Sequence, residues 1–254
     1  MKQKTLLLLT LAFLFACEQK SHKTKETDTI TFSSNTNTLN KKQEYITRTV
    51  YPCEYDNEVS ILGLGLIIAP SEFEMFNDSL LSDTYALVDI YSNDKTDLNI
   101  CSKYFQPDYG IMHFICLSVT NQSYKVLINY SDVKFLPRTK AYEFITWNNY
   151  ILQSFGVRRL RTKTGGISSN QPLRKSDNDT TETLTIPQGH ELFCPIEVKG
   201  DWLKVTYDCF YNDENNVFEG EPCHNYIAKC QNPLLGWLKW KQDNKILIDI
   251  FLMP

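Results

Sequence analysis

The chain has 254 residues, with 26 Lys+Arg against 30 Asp+Glu and a formal charge of −4. This mildly acidic balance excludes nucleic acid as the main partner, because phosphate binding needs a basic footprint. A hydrophobic content of 42% suits a packed interior, and 14 Tyr with 14 Phe favour strands over a helical bundle.

Residues 1–16 place Lys2 and Lys4 before an apolar run that ends at Ala16. The run has the length of a secretory signal and falls short of the roughly 20 residues that span a bilayer. Leu14-Phe15-Ala16-Cys17 resembles a bacterial lipobox: the small Ala16 fits, while Phe15 is bulkier than usual there. The resemblance implies cleavage after residue 16, acylation of Cys17, and a membrane-anchored lipoprotein on the periplasmic or surface side of a bacterial envelope. Residues 17–44 read as a flexible tether, polar throughout and with Phe32 as its one aromatic. Its r.m.s. reach is about 30 Å.

A β-rich N-terminal domain is expected over 45–160. The glycine-broken apolar run 61–68 reads as a buried strand, and 84–91, 113–119 and 123–129 are further strands. Ser71-Glu72-Phe73-Glu74 has the form of a capping box that would open a helix. Phe73 and Met75 also alternate as a strand does, and the strand is the preferred reading. From 156 the composition changes: Arg158, Arg159, Arg161 and Lys163 lead into Gly165-Gly166, marking a linker over 161–171.

In residues 172–254, strand-like runs at 191–196, 202–207, 237–240 and 246–252 are separated by turn signals such as Lys199-Gly200-Asp201. Short strands with tight turns over this length suggest a small barrel. Leu173-Arg174, the turn residue Gly189, Trp202-Leu203-Lys204-Val205 and Gly236-Trp237-Leu238 together resemble the bacterial SH3 family (SH3b) over about a third of the chain. The resemblance implies an SH3-like barrel. The stretch from Tyr207 to Leu235 departs from it, being far longer than the usual hairpin, and reads as a cysteine-containing insertion. Residues 123–127 and 145–152 are similar to 201–205 and 238–247, which would make the N-terminal domain a divergent SH3-like copy.

Of eight cysteines, removing Cys17 leaves seven, an odd number in an exported chain. An oxidising compartment favours disulfides among Cys194, Cys209, Cys223 and Cys230. A hairpin about Gly200 brings Cys194 and Cys209 to its open end, and Cys223 with Cys230 closes a small loop. Cys209–Cys223 and Cys209–Cys230 are the competing pairings. A Cys₃His zinc site with His224 is the weaker reading, since no tight C-x-x-C pair occurs; no metal or cofactor is expected.

Catalysis is not expected. Asp208-Cys209 is the nearest approach to a cysteine-peptidase nucleophile, but it ends a strand, and a nucleophile needs a base and an orienting group. His22 lies in the tether, His113 sits in an apolar strand, His190 follows a turn, and His224 adjoins Cys223. The expected function is non-enzymatic: a module binding cell-wall peptide (peptidoglycan) or an envelope protein through the aromatics Trp202, Tyr207, Tyr211, Phe218 and Trp237. An accessory or inhibitory, immunity-type protein is the alternative, and a cell-wall hydrolase ranks last.

Overall fold

The computed structural model describes residues 50–54, 61–91, 98–161, 171–187, 191–211, 213–231 and 233–253. The lipobox-like segment with Cys17, the tether, His190 and Lys163 lie outside the described residues. The protein is mainly β.

In chain order the first half supplies β1 (Val50–Glu54), β2 (Gly65–Ile68), β3 (Glu72–Phe76), β4 (Thr84–Asp89), β5 (Leu98–Ser102), β6 (Tyr104–Gln106), β7 (Ile111–Val119), β8 (Ser123–Ile128), β9 (Asp132–Pro137), β10 (Glu143–Thr146) and the helix α1 (Trp147–Leu152). β1 and β5 form a parallel pair. The other strands build an eight-stranded sheet in the order β10-β2-β7-β8-β9-β3-β4, with β6 also on β7.

This sheet is curled, and its central strands are buried on both faces. Ile67, Phe114, Val126 and Ile128 fill one core, while their neighbours Leu66, Ile115 and Leu127 belong to another. Double burial explains the nearly unbroken apolar runs in β2, β7 and β8. Gly63 is required two residues before β2: its φ is +59°, and a Cβ there would lie 2.2 Å from the Cys116 carbonyl oxygen. The segment with capping-box form is strand β3, with Phe73 and Met75 buried.

The second half supplies β11 (Gly156–Arg159), β12 (Leu173–Arg174), β13 (Thr183–Leu184), β14 (Phe193–Lys199), β15 (Trp202–Tyr207), β16 (Leu235–Lys239), β17 (Lys241–Gln242), β18 (Lys245–Ile246) and β19 (Ile248–Phe251). Seven of these form a sheet ordered β13-β12-β16-β15-β14-β11-β19. β11 falls where the sequence reads as the approach to a linker, yet it pairs with both β14 and β19. Its cations serve the fold. Arg158 Nε donates to Asp249 at 2.9 Å, and Arg159 forms a part-buried ion pair with Glu191.

Residues on both sides of 161–171 contribute to one core. Leu66, Ile115, Leu127, Trp147 and Ile151 cluster with Val157, Phe193, Leu203, Val205, Leu238 and Trp240. The Trp147 and Trp240 rings lie 6.2 Å apart. Glu44–Pro254 forms one compact unit.

The two stretches compared within the sequence, 145–152 and 238–247, take different structures. Trp147–Leu152 is helical: the Thr146 side chain accepts from the Asn149 N–H, and Trp147, Tyr150 and Ile151 bury one helical face. By contrast β17 and β18 form a hairpin turned by Asp243 and Asn244, with φ of 48° and 63°.

A candidate cleft beside the cysteine-rich segment

β14 and β15 present opposite faces to different surroundings. Phe193, Leu203 and Val205 face the main core, whereas Cys194, opposite Thr206, faces a cluster with Cys223 and Tyr226. In the segment 208–230, Phe210, Phe218, Cys223, Tyr226 and Ile227 pack against that second face. Asparagine and aspartate side chains shape the segment: Asp208, Asp213 and Asn216 each accept a hydrogen bond from the backbone N–H two residues on, at 2.9–3.0 Å. These local turns need no ladder partner.

Two disulfides fix the segment. Cys194 bonds to Cys223 with Cα atoms 5.4 Å apart, and Cys209 to Cys230 with Cα atoms 6.0 Å apart. The pairing differs from the expected Cys194–Cys209 and Cys223–Cys230; Cys209–Cys230 was among the competitors. The register gives the reason. Cys194 stands opposite Thr206, so Cys209 lies three residues past it along the hairpin, beyond bridging reach. A bulge between Pro195 and Glu197, where a proline interrupts the ladder, contributes to this offset. Upstream, Cys101 is disulfide-bonded and Cys116 is a free, buried thiol, pushed up to about 11 by burial.

Phe210, Phe218 and Tyr226 pack on the Cys194–Cys223 bridge, with Phe218 and Tyr226 stacked at 5.1 Å and Lys229 4.3 Å from the Phe218 centroid. The Tyr226 hydroxyl donates to Asp208 Oδ2 at 2.7 Å, and Asp208 is only 2% exposed. Burial, followed by the Asp208 carboxylate, pushes the Tyr226 phenol far above its ordinary value.

Between this segment and β11 and β19 lies a cleft of about 660 Å³. Phe155, Leu192, Phe218, Phe251 and Met253 give it an apolar lining; Tyr211 and Tyr226 add polar-tipped rings. Asp213, Glu214, Glu219 and Glu221 are exposed lining residues, Asp208 and Glu191 are more enclosed, and Arg158 and Arg161 are the lining cations. Arg158 is engaged by Asp249 and Glu191 by Arg159, and the four exposed carboxylates outnumber Arg161, so the cleft lining is net negative.

Of the aromatics singled out by sequence, Tyr211 and Phe218 line this cleft. Trp202 and Trp237 do not. They lie half-buried on the sheet face opposite Leu203 and Leu238, with Lys239 5.3 Å from one ring and Lys204 5.9 Å from the other. Tyr207 packs at the edge of the main core. His224 is exposed, and Cys209 is held in its disulfide.

Asp208 was not singled out from sequence as a binding residue. The signal available was a run of Asx-turn formers between cysteines, which gives local turns but not the burial of Asp208. The chain matches no family model, no curated protein and no solved structure.

Proposed function

We propose that the protein is a non-enzymatic envelope lipoprotein, anchored through Cys17, whose cleft beside the cysteine-rich segment holds a peptide bearing free amino groups. The observation that carries the reading is the cleft, lined by apolar side chains and two tyrosines together with the exposed Asp213, Glu214, Glu219 and Glu221. Aromatic and aliphatic walls bind chain and side-chain carbon, while a negative lining attracts ammonium groups and disfavours anionic polymers. The two disulfides support the reading because they hold an irregular wall in one shape, which lowers the ordering cost of binding. Formation of these bonds also fits an oxidising compartment outside the cytoplasm. Cell-wall peptides carrying amino groups are the ligand class that joins this chemistry to the envelope location.

The SH3-like reading of 172–254 belongs to this proposal. Its support is that Leu173-Arg174, Trp202–Tyr207 and Gly236-Trp237-Leu238 lie on the adjacent strands β12, β15 and β16. The ligand would then contact the cysteine-rich segment beside the barrel strands rather than the Trp202 and Trp237 rings.

The test is retention of soluble residues 45–254 on purified peptidoglycan, before and after acetylation of its amino groups. Retention that falls on acetylation and in the Glu214→Lys, Glu219→Lys double variant supports the reading. Retention unchanged by both, or none on untreated material, sinks it.

A further inference from the structure

The Cys194–Cys223 bridge shares its burial with a carboxylate. The two sulfurs and a carboxylate oxygen of Asp208 all lie within 4.8 Å of one another, and all three residues are buried. The Tyr226 oxygen lies 3.8 Å from the Cys194 sulfur, 3.7 Å from that of Cys223, and 2.7 Å from Asp208 Oδ2. Two sulfurs, a carboxylate and a phenol oxygen thus surround one point.

Among the described residues the hydrogen-bond donors to the Asp208 carboxylate are neutral: the Tyr226 hydroxyl and the Phe210 N–H. A buried carboxylate held by neutral donors is a costly arrangement that a nearby cation would relieve. Asp208 and Tyr226 also line the cleft, which places the carboxylate and the phenol between the buried sulfurs and the cleft.

We propose that, once the Cys194–Cys223 disulfide is reduced, Cys194, Cys223 and Asp208 bind a divalent zinc-like ion, with Tyr226 beside it as a fourth oxygen. The chemistry balances in two steps. A dithiol reductant gives two electrons and two protons to the S–S bond, becoming a cyclic disulfide and leaving two thiols. The metal ion then displaces one proton from each thiol, forming two metal–sulfur bonds. With metal–sulfur bonds of about 2.3 Å in a tetrahedral site, the sulfurs move apart to about 3.8 Å. Cα atoms 5.4 Å apart accommodate this by side-chain rotation. Disulfide and metal therefore compete for the same two sulfurs: the oxidised chain has no site, and the metal-bound chain cannot close the bridge.

The experiment uses soluble residues 45–254 carrying Cys209→Ser and Cys230→Ser, so that the second bridge supplies no thiols. After reduction with a phosphine and its removal, cobalt(II) is titrated anaerobically, followed by zinc competition. The expected result is thiolate-to-cobalt charge-transfer absorption saturating at one ion per chain, absent from the oxidised protein. Asp208→Asn, which keeps an acceptor for Tyr226, should weaken cobalt binding by at least about tenfold. Zinc should also slow re-formation of the Cys194–Cys223 bridge on re-oxidation, read by thiol counting. No charge-transfer band in the reduced protein, or equal binding by Asp208→Asn, overturns the proposal. Circular dichroism of reduced samples gives the fold readout: a chain that unfolds on reduction and binds no cobalt also overturns it.

Discussion

His113 Nδ1 lies 2.8 Å from the Tyr150 hydroxyl, joining β7 to α1 inside the protein. Tyr104 stacks on Tyr150 at 5.5 Å, and burial holds the imidazole down to about 4, against an ordinary value of 6.5. The folded chain keeps this histidine neutral at pH values where the unfolded chain protonates it. Its contribution is therefore complete above about pH 6.5 and is lost as pH falls toward 4, by about 3 kcal/mol at most. Urea unfolding of soluble residues 45–254 across this window should show a steeper loss than in His113→Gln, which retains a partner for Tyr150. Equal slopes would show that the pair does not titrate on unfolding.

The strand readings at 84–91, 113–119, 123–129 and 202–207 were legible because burial leaves a local mark, alternation in β15 and an unbroken apolar run in β7; of the run 61–68 only Gly65–Ile68 is strand, and Ile61 and Leu64 are exposed. The partners of those strands were not. Nothing in Gly156–Arg159 announces a strand between β14 and β19; its arginines suggest a solvated junction, and their acidic partners, Glu191 and Asp249, come from distant sequence. The cleft was legible in Tyr211 and Phe218, whose place in a polar loop gave them little reason to be buried. Asp208 carries no such mark, because its burial follows from the disulfide and Tyr226 rather than from neighbours in the chain.

Gly236 stands against Leu173: a Cβ on it would come within 2.4 Å of the Leu173 Cγ, and Leu173 is fully buried. Gly236→Ala should lower stability by about 1–3 kcal/mol, the usual cost of overpacking. Adding Leu173→Ala should cost less in that background than in the wild type. Thermal denaturation of the four proteins measures the coupling, and strict additivity would refute the contact as the cause.

Non-reducing peptide mapping should recover Cys194 linked to Cys223 and Cys209 linked to Cys230. The Cys194→Ala, Cys223→Ala pair should lower stability by about 3 kcal/mol, since the bridge spans 29 residues. Recovery of a Cys194–Cys209 peptide would place the hairpin in a different register.

Cys17→Ala should abolish lipid labelling and release the protein from the membrane fraction. Palmitate incorporation that persists in this variant would remove the basis for an acyl anchor.

β11 sits between β14 and β19 although the chain supplies it before β12. A ribosome delivering this protein therefore releases Gly156–Arg159 early and both of its neighbours late. Until β19 has emerged, one edge of β11 lacks its partner strand, and Arg158 lacks its acidic partner Asp249. Completion of the second sheet therefore waits for the last strand of the chain, β19.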